Sequence, residues 1–146
     1  RGKTYTVVPV IAVVEGVLQG VNSDAPELAV ASEFGKFPAS WDGRPVMMNH
    51  PNIGGMWVSA SIHSVLETYQ IGFLANTKLD GTKLKTEAWL DKDMIDAIGG
   101  DATETYQRVL DGEMVDVSVG AFIDIVEGAG IHNGKNYAGS WANVVP

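Results

Sequence analysis

Asp80-Gly81 stands between two runs that each read as a strand, Ile71 to Lys78 and Lys83 to Leu90. An Asp-Gly pair tolerates the positive φ of a tight turn, so it forces the flanking runs to lie antiparallel. A lone hairpin is marginal in water, and the remaining strands must build a sheet around this one. Thr4 to Val14 is a valine-rich candidate, with Val17 to Val21 continuing it past Gly16. Pro45 to Asn49 follows the turn residues Trp41-Asp42-Gly43-Arg44, and proline is tolerable as the first residue of a strand. Gly54 to Glu67 holds another strand, Met114 to Val126 a long one, and Tyr137 to Val145 a last one. Asp91 to Ile98 and Ala102 to Asp111 read as helices broken at Gly99-Gly100, with Asp91, Asp93 and Asp96 toward the positive end of the first. A short helix is expected over Glu27 to Phe34, capped by Ser23 or Asp24, and Gly35 to Ser40 is expected to be irregular. Six or seven strands with two or three short flanking helices predict an α+β domain built on a small, largely antiparallel β-barrel or a strongly curved sheet. Closure would remove exposed sheet edges.

The length of 146 residues fits one domain spanning 1–146, large enough to bury roughly 70% of the surface of its unfolded chain. Ten basic against eighteen acidic residues give a net charge of −8, which opposes association with phosphate backbones and excludes nucleic acid as the expected partner. The basic stretch Lys78 to Lys85 reads as a solvated hairpin. Apolar runs such as Val7 to Val14 fall well short of the ~20 residues of a membrane span, so the chain is expected to be soluble, with no membrane partner. The absence of cysteine rules out disulfides, thiolate metal ligands and a cysteine nucleophile.

Chemistry enters through two segments. From Val115 to Ile125 every odd position is apolar, which in a strand places Val115, Val117, Val119, Ala121, Ile123 and Ile125 on one face and Asp116, Ser118, Gly120, Phe122 and Asp124 on the other. The serine then points away from the core, and Gly120 next on that face leaves room for a substrate backbone. An ordinary solvent-facing serine fits the same pattern, and no hydrolase nucleophile elbow surrounds this one. A serine nucleophile needs a base, and histidine has a suitable pKa. The three histidines are His50, at the end of a short strand and followed by Pro51; His63, in an apolar-polar segment; and His132, in the glycine-rich loop Gly128 to Gly134. No spacing among them makes a metal motif, and no cofactor is implied.

The two segments, Trp41-Asp42-Gly43-Arg44-Pro45-Val46 running into Asn49-His50-Pro51 and Val117-Ser118-Val119-Gly120-Ala121-Phe122, occur in an order and spacing that resemble the capsid maturation (prohead) proteases of tailed phages. Those enzymes share the fold of the herpesvirus assemblin proteases. The resemblance implies that Ser118 is the nucleophile and His50 the general base of a serine endopeptidase. It implies cleavage of scaffold and major capsid protein segments inside the procapsid, assembled in the host cytoplasm, with self-cleavage and a homo-oligomer both compatible. In relatives the residue that orients the histidine is often an acid in an Asp-His-Leu-Ala type segment after the serine strand. Here no Asp or Glu follows Glu127, and Trp141 to Pro146 looks like the lead into that segment. The chain is therefore expected to be truncated there, by design or by self-cleavage, and to be weakly active or inactive as it stands.

Two internal substitutes are available. His132 is one, because the herpesvirus enzymes use a second histidine in this role. Asp116 is the other, because at about 3.3 Å per residue it lies some 7 Å from Ser118, whereas Asp124 lies some 20 Å away. The oxyanion donors are open between the amides of Gly54-Gly55 and Gly120. A reading from another class is a catalytically inactive structural or scaffold-binding β domain of a virus particle. A small-molecule hydrolase is disfavoured by the lack of any esterase motif.

Overall fold

The computed structural model describes residues 2–20, 24–49, 52–53, 56–57 and 63–146. Strand β1 (Tyr5–Val14) is followed by β2 (Gly16–Leu18), β3 (Glu27–Ala29), helix α1 (Ala31–Phe34), a 3-10 turn (Pro38–Trp41), β4 (Pro45–Met47), β5 (Asn52–Ile53) and β6 (Met56–Trp57). Then come α2 (His63–Tyr69), β7 (Gln70–Asp80), β8 (Lys83–Asp91), α3 (Lys92–Ile98), α4 (Gly100–Leu110), β9 (Phe122–His132) and β10 (Lys135–Val145). One sheet has the order β1-β8-β7-β4 and is antiparallel throughout. A second has the order β2-β3-β10-β9, with β3 and β10 parallel, and β5-β6 forms a separate ribbon.

The α+β class and the mostly antiparallel pairing follow the sequence expectation, but no described sheet closes into a barrel, and the described residues hold four α-helices rather than two or three. At the edge of the first sheet, β1 carries Pro9, which cannot donate to a further strand, and a register shift between Ile11 and Val13. Both features blunt a sheet edge. The unexpected helix is α2, within and just beyond the run expected to hold a strand. Its Val65 and Tyr69 recur at helical spacing and Val65 is buried.

The hairpin over Asp80-Gly81 forms with Asp80 opposite Lys83 and Gly81 at φ +61°. It is bound on its far side by β1, so β8 is a central strand whose even residues Leu84, Thr86, Ala88 and Leu90 are buried. Gly72 is needed where β7 approaches β8: a Cβ there would stand 2.1 Å from the Trp89 carbonyl oxygen. The core has two clusters. Phe34, Trp41, Leu84 and Trp141 centre one, and Ile71, Leu90, Ile95 and Ala102 centre the other beneath α3 and α4.

Several boundaries differ from expectation. Glu27 to Phe34 divides into β3 and α1; the N-cap of α1 is Val30 rather than Asp24, and Ser23 lies outside the described residues. Glu27 is buried with its carboxylate accepting from the Trp141 indole at 3.1 Å, which holds this stretch to β10. Asp91 caps α3 from outside it, accepting from the Asp93 and Met94 amides at 2.9 and 3.3 Å and from Lys3 Nζ at 2.9 Å. Burial pushes the Asp91 carboxyl up, but the Lys3 ammonium and the two amides outweigh it and hold the group below its ordinary range.

Candidate active site

The Trp41 to Pro45 segment is fixed from several directions. The Trp41 indole is buried and donates to the Phe34 carbonyl at 3.1 Å. The Asp42 carboxylate accepts the Thr77 amide at 2.9 Å, Gly43 at φ +79° donates its amide to the Leu74 carbonyl at 2.7 Å, and the Leu74 amide returns to the Arg44 carbonyl at 2.9 Å. These bonds anchor the start of β4 against β7. The strand then ends at Met47, two residues earlier than expected. Met48 still donates to the Tyr69 carbonyl at 2.9 Å, and Asn49 turns the chain with φ +67°, a left-handed conformation that asparagine tolerates better than most residues. His50, the expected base, lies outside the described residues, as do Gly54 and Gly55.

Ser118 is exposed, as expected, but its setting is different. Residues 113–121 have no regular secondary structure, and the long strand begins at Phe122 instead of Met114. The β9–β10 ladder runs to the Phe122–Val145 pair, and no described strand lies beside residues 113–121. Among the described residues, alternation there has no ladder to enforce it. Val115, Val119, Ala121 and Ile123 are half-buried, and the last three pack on the Trp41–Trp141 cluster. Val117 is 56% and Ile125 43% exposed, so neither belongs to the buried row that the alternation predicts. Asp116, Gly120, Phe122 and Asp124 are all exposed. No heavy atom lies within 4 Å of the place where a Cβ on Gly120 would stand, so the approach past this glycine is open.

The two internal candidates for the orienting role differ. Asp116 is exposed and shares the unladdered segment with Ser118. His132 is the last residue of β9 rather than part of a glycine-rich loop. Its Nε2 stands 4.0 Å from Glu15 Oε2, and Glu15 accepts the Ala31 amide through Oε1 at 3.0 Å. Asp124 accepts the Asn143 side-chain amide at 2.8 Å. His63, the third histidine, pairs with Glu67 at 3.0 Å on the exposed face of α2.

Sequence reasoning passed over a cleft of about 840 Å³ between the end of β4, α2, and the α3–α4 turn. Asn49 lines it, one residue before His50 in the chain, together with Met48, Leu66, Met94, Ile98 and Asp101. The signal available in the sequence was Gly99-Gly100, read there only as a helix break. Among the described residues no cluster of acids and histidines is arranged to hold a metal, and no helix is long and apolar enough to cross a membrane. No protein-family model, curated protein or solved structure matches this chain.

Proposed function

We propose that this chain is a serine endopeptidase of virus capsid maturation with an assemblin-like protease fold, acting on scaffold and major capsid protein segments inside the procapsid. The observation that carries the reading is the setting of Ser118: an exposed residue on a segment that no described strand pairs with, followed by the open position at Gly120. A substrate carbonyl needs that kind of access to the serine. The order of the His50 and Ser118 segments supplies the second support.

Ser118 Oγ attacks the scissile carbonyl carbon while His50 takes the hydroxyl proton, and the C–N bond breaks as His50 returns that proton to the leaving amine. Water, activated by the same imidazole, then hydrolyses the acyl-enzyme and regenerates the serine. His132 and Asp116 are the internal candidates to orient the imidazole.

The test is labelling with a small fluorophosphonate, read by intact mass. The reading predicts one adduct per chain, lost in Ser118→Ala and slowed by about 10³-fold or more in His50→Ala. A folded chain that takes no adduct, or takes the same adduct with Ser118→Ala, would instead support a structural or scaffold-binding domain.

A further inference from the structure

We propose that the cleft between α2 and the α3–α4 turn is a peptide-recognition site, taking apolar side chains from an extended segment that carries basic residues on either side. The choice of a peptide as ligand rests on the serine endopeptidase reading; the chemistry of the ligand follows from the cleft itself.

Its volume of about 840 Å³ falls within the range of ligand-binding clefts and is room for several side chains. Met48, Leu66, Met94 and Ile98 form half-buried apolar walls. Two of these are methionines, whose flexible thioether stems adjust to differently shaped apolar groups. Polar groups are at the mouth: Asn49, Glu67 and Asp101 are exposed there, His63 lines the cleft paired with Glu67, and no lysine or arginine is among the described lining residues. Carboxylates at the rim of a chain with net charge −8 favour a basic flank and disfavour an acidic one.

The backbone at one side is bare. Gly99 and Gly100 have φ +68° and +49°, and no atom lies within 4 Å of where either would carry a Cβ. An extended peptide can therefore approach this main chain closely. The site also adjoins the proposed base along the chain. Asn49 belongs to the cleft, and the Cα atoms of consecutive residues are about 3.8 Å apart, so a peptide held here lies beside the residue that leads into His50.

The five methionines, Met47, Met48, Met56, Met94 and Met114, provide the readout. The protein, labelled with carbon-13 at the methionine methyls and carrying Ser118→Ala to prevent turnover, is titrated with an acetylated, amidated nonapeptide holding Leu-Met between two lysines. Saturable shifts at Met48 and Met94, with Met114 unmoved, are expected. A companion peptide with glutamates in place of the lysines should bind about tenfold more weakly or worse. Ala97→Trp, which directs an indole into the cleft from α3, should weaken the lysine peptide by about tenfold. Shifts confined to Met114, no saturable shift at all, or equal binding of both peptides would overturn the proposal. Fluorophosphonate labelling of the Ser118 chain separates the two claims. Labelling without shifts at Met48 and Met94 refutes the cleft and leaves the nucleophile standing. Those shifts without labelling retain the cleft and refute the nucleophile.

Discussion

Strand β8 and the serine segment at Val115 to Ala121 carry the same kind of sequence, an alternation of apolar and polar side chains, and they come to different ends. In β8 the alternation is realised: β1 and β7 pair with it on both sides, and its even residues are buried. At Val115 to Ala121 no described strand lies alongside, Val117 is largely exposed, and the chain has no regular structure until Phe122. Alternation states which face a side chain would take within a sheet; hydrogen-bonded neighbours decide whether the sheet exists. Ser118 lies in the segment without a described partner strand and is exposed there.

Paired substitutions in the two regions should separate them, beginning with backbone contact. Gly72→Ala drives a methyl group into the Trp89 carbonyl and should cost about 3 kcal/mol or more in a denaturant titration. Gly120→Ala meets nothing and should change stability by no more than about 0.5 kcal/mol. A comparable loss at both glycines would mean that the serine segment is packed as tightly as the sheet.

Side-chain truncation should give the next largest contrast. Leu84 is fully buried in the core, and Leu84→Ala should cost about 3 kcal/mol. Val117→Ala should stay within about 0.5 kcal/mol of the parent. A core-like loss at Val117 would restore the strand reading of this segment.

A smaller effect belongs to the end of β8. Asp91 is 2% exposed, caps α3 and holds Lys3, so Asp91→Ala should cost about 2 kcal/mol near neutral pH. The folded-state carboxyl lies below its unfolded value. The charge-dependent part of its stabilisation is therefore present above the unfolded value and is lost as pH falls below about 4. Denaturation midpoints of parent and variant should converge over that range. A gap that stays constant with pH would assign the effect to packing alone.

Much of the fold was legible because its signals were local. Asp80-Gly81 announced the turn, Gly99-Gly100 the break between α3 and α4, and Asp91 the start of a helix. The failures were matters of long-range partnership. Glu27 to Ala29 has helical neighbours in sequence, but Glu27 is fixed by Trp141 from β10, far along the chain. The barrel expectation counted strands without seeing where Pro9 and the short β2 and β4 would interrupt closure. At the candidate site, the exposure of Ser118 could be read from the alternation, although the strand invoked to explain it is absent. The placement of His132 depends on the length of β9 and on Glu15, neither of which a glycine-rich stretch reveals.

The central claim is that the serine sits on a segment with which no described strand pairs. Amide hydrogen exchange followed by mass spectrometry, comparing peptides that cover residues 84–90 and 115–121, tests it most directly. The account predicts exchange close to the unfolded-chain rate across 115–121 and protection about 10³-fold greater or more across 84–90. Comparable protection of the two segments would contradict it and make Ser118 a residue of a paired strand.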